Sequence, residues 1–377
     1  MAKKKGKLRT DFRKNRGARP REKDFSRELA GSDSPVDAPH GERVSGKGEI
    51  SRKRTLAGGE VIEDETGTHV LPDVDRTVCR LGRVLRVQGL LSIVRDEENS
   101  SIYECPIRRI LKTLTTDKRH VVAAGDVVWF RPEGKRDGII ERVELRHGVV
   151  SRTSRRLQHV LVANVDQLVI VMSAAEPRLK PNLIDRMLVT AEKGGIRPVI
   201  CINKIDLIEP ADLMPITGVY AQLGYDVVLV SATHNIGIDR LRERLAGEES
   251  VVSGQSGVGK SSLLNAIEPD LALRVQTVSA DSQKGRHTTT TAVLIPLSFG
   301  GYVVDTPGIR QFQLWDVIPE EVAGFFRELR PYVSRCRFPD CTHTHEDDCA
   351  VKDAVADGWI DTRRYESYVQ IRSGDFS

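Results

Sequence analysis

The sequence predicts three folded modules behind a basic extension: a small N-terminal β-barrel, a central α/β domain and a C-terminal metal-binding helical domain. Three observations carry this. Short strand-like stretches crowd residues 77–145, continuous apolar runs alternate with helical patterns over 167–304, and cysteines and histidines cluster at 336–349. The boundaries read as extension 1–75, barrel 76–150, α/β domain 151–328 and metal-binding domain 329–377.

The extension comes first. Residues 1–54 hold 17 Lys/Arg against 8 Asp/Glu, a charge of +9, so the remaining 40 bases and 45 acids leave −5 for the body of the chain. Few apolar residues interrupt the polarity, too few to offset chain entropy, so the extension is expected to be mostly disordered. Such an arm is either solvated chain or a contact for nucleic acid. The whole chain is 39% hydrophobic and 29% charged, which excludes wholesale disorder and a fibrous protein. No stretch approaches the ~18 apolar residues of a membrane span. No apolar segment follows the basic start, so no secretory signal is expected. Six cysteines are too few for a disulfide scaffold and fit a reducing, cytoplasmic setting.

In the barrel region, strand candidates fall at 78–87, 90–94, 101–107, 121–130 and 138–145, with Gly89, Gly125-Asp126 and Gly134 as turn chemistry. Five short strands in this span predict an antiparallel barrel, an OB-fold first and an SH3-like barrel second. In the α/β region, Gln167–Ser173 is an unbroken apolar run of the kind buried in a parallel sheet. Helical spacing follows at 182–193, then strands at 198–203 and 226–231, with helices near 210–223 and 237–245. The chain finishes with an expected helix at 319–332, the Cys/His loop, and helices near 350–357 and 361–372.

Gly254-Gln255-Ser256-Gly257-Val258-Gly259-Lys260-Ser261, followed by Ser262, fits G-x-x-x-x-G-K-[ST] between a strand and a helix. Glycines let backbone N–H groups turn around phosphate oxygens. Lys260 supplies charge to the β- and γ-phosphates, Ser261 offers Mg²⁺ a hard oxygen, and the helix N-terminus adds its dipole. Asp305-Thr-Pro-Gly308 ends another apolar run, 45 residues after Lys260. Asp305 there suits Mg²⁺, and the Gly308 N–H suits the γ-phosphate. Asn203-Lys204-Ile205-Asp206 ends a strand, where the Asp206 carboxylate can accept from guanine N1–H and N2–H₂, donors that adenine lacks. Asn203 can brace the loop, the Lys204 stem can lie over the ring, and in Ser231-Ala232-Thr233 the Ala232 N–H can meet guanine O6.

These four motifs resemble those of the Ras-like GTPases, in a circularly permuted order. A permutation moves the chain ends and keeps the sheet. With a barrel in front, Gly285-Arg286-His287-Thr288-Thr289-Thr290 and a C-terminal Cys/His cluster, residues 77–372 resemble the RsgA (YjeQ) family of small-ribosomal-subunit-stimulated GTPases that act in 30S maturation. The resemblance implies a cytoplasmic, monomeric enzyme that hydrolyses GTP to GDP and phosphate, with the 30S subunit and its 16S rRNA as partners. It also implies Mg²⁺ with GTP and one structural Zn²⁺. Thr288 and Thr289 are both candidates to complete the Mg²⁺ shell in the GTP state. Ile309 stands where Ras-like enzymes carry a water-orienting glutamine, so His287 is the candidate to accept from water; phosphate or RNA contact is its other reading.

Cys336, Cys341 and Cys349, with His343 or His345, make a Cys₃His set for a closed tetrahedral Zn²⁺ site. The spacing leaves both histidines open, and the resemblance favours His343. Cys79, Cys105 and Cys201 read as small core residues. Arg327, Arg330, Arg335, Arg337, Arg363, Arg364 and Arg372 surround the cluster and are candidates for rRNA phosphates. Two other functions compete: a non-catalytic RNA-binding assembly factor that keeps GTP as a ligand, and an ATPase or helicase. Intact Lys260, Ser261 and Asp305 oppose the first, and Asn203 and Asp206 oppose the second.

Overall fold

The computed structural model describes residues 7–11, 53–57, 59–64, 67–108, 111, 121–154, 157–271, 292–305 and 317–374; for 7–70, 151–159 and Asp305 it describes backbone alone. Strand β1 (Lys7–Asp11) pairs with β2 (Lys53–Ala57), and β3 (Gly59–Asp64) with β4 (Gly67–Pro72), both antiparallel. β4 lies against the sheet that follows and buries Leu71. Residues 59–64 and 67–72 form a paired ribbon within the span expected to be mostly disordered. Each strand is too short to show a sustained period, and pairing satisfies the backbone that composition alone left without partners.

Strands β5 (Arg80–Gln88), β6 (Leu91–Asp96), β7 (Ile102–Pro106), β8 (Val127–Pro132) and β9 (Gly138–Val143) form an antiparallel sheet in the order β7-β6-β5-β8-β9. One face is apolar by alternation: Val84, Val94, Tyr103, Cys105, Val128, Phe130 and Ile140 pack together. The sheet curls until its edges meet. Parallel bridges Glu104↔Asp137 and Ile107↔Ile140 join β7 to β9, and the Glu104 N–H donates to the Arg136 carbonyl at 2.7 Å. A ribbon not anticipated from sequence, β10 (Val150–Ser154) with β11 (Leu157–Val162), leads into the next module.

The six-stranded sheet contains β12 (Gln167–Ser173), β13 (Arg197–Asn203), β14 (Asp226–Leu229), β15 (Glu249–Ser253), β16 (Val293–Pro296) and β17 (Tyr302–Asp305). Its order is β14-β13-β12-β15-β17-β16, parallel except for β16. Helices α1 (Pro181–Lys193) and α2 (Met214–Gln222) cover one face; α3 (Ile238–Leu245) and α4 (Lys260–Ile267) cover the other. β12 shows why its run reads as continuous: Leu168, Ile170 and Met172 enter one layer, Val169 and Val171 the other. Cys79, Cys105 and Cys201 are all buried, as expected of small core residues.

The expected helix over 319–332 is broken. A 3₁₀ turn (Val322–Phe325) and a short α5 (Arg330–Val333) replace it, because Gly324 weakens the first half and Pro331 can sit only in the first turn of a new helix. Then come α6 (Ala350–Ala356) and α7 (Thr362–Ser373), the latter capped by Asp361, whose side chain accepts from the N–H groups of Arg363 and Arg364. Phe326, Leu329, Val351, Ile360, Tyr368 and Ile371 pack around Val189 of α1, so this module is docked on the α/β domain.

Arg364 secures the docking. Its Nη1 lies 2.5 Å from Asp185 Oδ1 on α1, its Nε 2.6 Å from Glu328 Oε1, and its guanidinium 4.4 Å from the Phe326 ring centre. Only 2% of Arg364 is exposed, so it is not a contact for rRNA. Removing one partner from a buried ion pair costs about 3–5 kcal/mol, whereas an exposed pair contributes about 0–1. Urea unfolding of Arg364→Ala should therefore show a loss of about 3 kcal/mol or more, and Arg363→Ala, next to it but exposed, under about 1.

Candidate functional site

The carboxyl ends of β12, β13, β15 and β17, with the chain that follows β14, converge on one crevice, where open α/β sheets bind ligands. The loop 254–259 leaves β15 and enters α4. Two of its glycines are dictated by neighbours. At Gly254 a Cβ would stand 2.0 Å from the Val171 carbonyl oxygen; at Gly259, with φ +90°, it would stand 2.6 Å from Asn203 Nδ2. α4 starts at Lys260 with no side-chain cap, directly after the loop. Ser261 and Ser262 stand in that first turn. Lys260 Nζ donates to the carbonyls of Gly254 and Gln255, both at 2.8 Å, which holds the ammonium against the loop.

Asn203 ends β13 and joins three segments. Its Nδ2 donates to the Val258 carbonyl at 2.9 Å, and its Oδ1 accepts from the Ala232 N–H at 3.2 Å. Lys204, at φ +63°, turns its ammonium onto the carbonyls of Gly257 (2.8 Å) and Glu176 (2.5 Å). Asp206 lies in the 3₁₀ turn Ile205–Leu207. A hydrogen bond from the Ser231 hydroxyl holds the Asp206 carboxyl below its usual range. Ser231 is buried, and its backbone pairs with Ile236 in both directions at 3.0 Å, which closes the loop after β14. His234 on that loop brings Nδ1 to 3.5 Å from Asp206 Oδ2.

Asp305 ends β17, next to β15: the register partner of its neighbour Val304 is Val251. Gly308 and the run 285–290, with His287, Thr288 and Thr289, lie outside the described residues. Sequence reasoning missed Glu176 and His234. Glu176 offers a backbone carbonyl, which has no signature of its own, and His234 lies one residue beyond the recognised S-A-x triplet.

A second cluster lies in the C-terminal module. The ligand atoms of Cys336, Cys341, His343 and Cys349 lie within 4.8 Å of one another. Cys336 Sγ is 3.4 Å and Cys349 Sγ 3.6 Å from His343 Nδ1, and the two sulfurs are 3.9 Å apart. A tetrahedral Zn²⁺ with ordinary bond lengths gives edges of about 3.6 Å (S···N) and about 3.8 Å (S···S). The donor set therefore fits such an ion. Burial pushes the thiols of Cys341 and Cys349 up, so gathered thiolates require a cation. Burial pushes His343 down, toward the neutral imidazole that ligates metals. His345 has an 81% exposed side chain and is not one of the four residues gathered in the cluster. Positive φ (+58°) at His343 turns the ring inward. Glu346 braces the loop: burial works against its carboxylate, but bonds from Thr342 and Thr344 outweigh this and hold it well below its usual range.

Known proteins resemble this arrangement. A family model described as RsgA GTPase matches residues 143–315. The small ribosomal subunit biogenesis GTPase RsgA of Thermotoga petrophila is 41% identical over 295 residues, covering 78% of this chain and 95% of that one. Its namesake in Sodalis glossinidius is 42% identical over 296 residues, 77% of this chain and 84% of that one. The crystal structure of YjeQ from Thermotoga maritima superposes with a TM-score of 0.65 at 36% identity, covering 78% of this chain and 98% of that one. That of YloQ, a circularly permuted GTPase, gives 0.62 at 31%, covering 80% and 97%.

The Gly259 contact generates a test. Overpacking costs about 1–3 kcal/mol, so Gly259→Ala should weaken labelled-GDP binding about tenfold or more, read by fluorescence titration. Gly218→Ala, where nothing stands within 4 Å of the added carbon, should leave it unchanged.

Proposed function

The chain belongs to the RsgA GTPase family, and on that premise we propose how its own residues bind and hydrolyse GTP during small-subunit biogenesis. One observation carries the reading. The Asn203 carboxamide bonds both to Val258 in the phosphate loop and to the Ala232 N–H, so motifs that lie out of order in the sequence form one site.

Asp206 accepts from the guanine N1–H and N2–H₂, the Ala232 N–H meets O6, and the Lys204 stem lies along the ring with Ile205 beside it. The amides of residues 254–262 surround the phosphates. Lys260 exchanges its two carbonyl partners for the β- and γ-phosphate oxygens, because a charge-assisted bond to phosphate is the stronger. Ser261, Asp305 and Thr288 or Thr289 would hold Mg²⁺, which would supply positive charge at the phosphate oxygens. Gly308 donates to the γ-phosphate. His287 accepts from the attacking water, a duty that Ile309 cannot perform. The chemistry is in-line attack on the γ-phosphate, stabilised by Lys260 and backbone donors.

The Cys336, Cys341, His343 and Cys349 set holds one structural Zn²⁺, which supplies no chemistry and organises a loop with little apolar core. The strand order β7-β6-β5-β8-β9, with its edges bridged in parallel, supports an OB-fold. That barrel, the exposed Arg335, Arg337 and Arg363, and the basic extension 1–75 contact 16S rRNA. The protein acts as a monomer in the cytoplasm, where small subunits mature. Among the described residues, no helix is long and apolar enough to cross a membrane.

GTP turnover with and without purified small subunits tests the function directly: turnover should rise with subunits and resist competition by ATP. Asp206→Asn replaces an acceptor by a donor, so preference should move from GTP toward xanthosine triphosphate by about a hundredfold or more. Atomic emission should find one zinc per chain. Cys341→Ala should lose the metal and lower the thermal midpoint, whereas His345→Ala should keep both.

A further inference from the structure

Two register pairs face each other across the joint between the curled sheet and the six-stranded sheet. On one side Arg83 of β5 is paired with Arg95 of β6; on the other, Glu249 of β15 is paired with Tyr302 of β17. Arg83 Nη1 lies 2.5 Å from Glu249 Oε1, and Arg95 Nη1 donates to the Tyr302 hydroxyl at 2.8 Å. Both guanidinium groups also lie over the Tyr302 ring, at 5.9 and 5.8 Å from its centre. The ion pair is largely dry, with 17% of the Arg83 side chain and 8% of the Glu249 side chain exposed.

Within the curled sheet this arrangement is unfavourable. Like charges directly opposite one another on neighbouring strands are destabilising. Local conflicts of this kind are found where a site serves something beyond its own element. Here the compensation comes from the other module, through Glu249 and the Tyr302 ring and hydroxyl. Contacts inside the curled sheet share the load only in part: Glu97 Oε1 lies 3.4 Å from Arg83 Nε, the Gly125 carbonyl accepts from Arg83 at 3.1 Å, and Ser100 Oγ accepts from Arg95 at 2.9 Å. On the far side, Asp166 Oδ2 accepts from the Glu249 N–H at 2.7 Å.

The gripped residues are the roots of two functional strands. Glu249 is the first residue of β15, whose other end becomes the phosphate loop, and Tyr302 is the first residue of β17, which ends at Asp305. β16, which follows the run 285–290 in the chain, lies against β5. Short paired strands in a packed sheet shift as units, because close-packed interiors transmit strain.

We propose that Arg83 and Arg95 are positioning residues for GTP hydrolysis. They fix the roots of β15 and β17, and so the placement of the phosphate loop against Asp305, and docking of the small subunit on the barrel reaches the nucleotide site through them. The proposal rests on the GTPase reading above.

The test uses the full chain with purified small subunits. Tyr302→Phe keeps the ring and deletes the oxygen that Arg95 holds; Arg95→Met keeps an apolar stem and deletes the guanidinium. The subunit-stimulated kcat should fall about tenfold in each, the scale expected when reacting groups are slightly misplaced. KM for GTP and subunit co-sedimentation should stay within about twofold, since uniform binding is untouched. The double variant should fall no further than Arg95→Met alone, because both changes remove one bond. Full stimulation in both single variants overturns the proposal. So does additive loss, or a joint loss of kcat, GTP affinity (a raised KM), subunit binding and thermal midpoint, which marks a merely structural role. A wild-type chain that turns over no GTP with or without subunits overturns the GTPase reading itself and the proposal with it.

Discussion

A carboxamide offers a donor at one end and an acceptor at the other, and Asn203 uses both to tie segments far apart in sequence. Val258 lies 55 residues away and Ala232 29. In the chain order, the Asn203–Asp206 loop precedes the 254–259 loop by about fifty residues and no covalent proximity registers one on the other. The register must come from side chains. Gly259 is bare because the Asn203 amide occupies the space of its Cβ, and Lys204 adopts a left-handed backbone that turns its ammonium onto the Gly257 carbonyl. Each of these residues is intelligible once the Asn203 amide is taken as fixed.

The legible parts of the chain are those with local causes. Buried parallel strands must be apolar on both faces, so Gln167–Ser173 announces itself, and the phosphate loop is legible because its residue types and their spacing are both dictated by a ligand. The illegible parts have distant causes. The 319–332 segment carries a helical pattern, yet Gly324 and Pro331 break it into two short pieces around the Phe326 and Leu329 anchors. Arg364 looks like its arginine neighbours in sequence; only the fold brings Asp185, 179 residues earlier, against it. His343 and His345 differ by two positions and share a residue type. What separates them is a positive φ and a hydroxyl bond from Tyr365 to the His343 carbonyl, neither of which spacing encodes.

Arginine placement follows a single electrostatic rule with three outcomes. Where two carboxylates can surround it, as Asp185 and Glu328 surround Arg364, the guanidinium goes inside and fastens modules together. Where one carboxylate and an aromatic face are available, as for Arg327 with Glu192 and the Tyr225 ring at 4.1 Å, it stays half-buried at a module edge. Where its partners are themselves exposed, as Asp348 and the Phe338 ring are for Arg337, it remains on the surface, where it can exchange the carboxylate for a phosphate. A count of basic residues around the Cys/His loop therefore overstates the surface that a polyanion could meet.

The attachment points of the outer modules follow from the sheet's polarity. A parallel sheet gathers its strand ends into two unlike faces, and the carboxyl face is the one at which such sheets bind ligands. The curled sheet does not pack there. It instead meets Glu249 and Tyr302, the amino-terminal residues of their strands, while the Cys/His module rests on α1 through Val189 and Asp185. Both contacts are made away from Gly254 and Asn203, which stand at the carboxyl face of the sheet. They also rest on elements that run directly into it: β15 into the phosphate loop, and α1 from the loop whose Glu176 carbonyl holds Lys204.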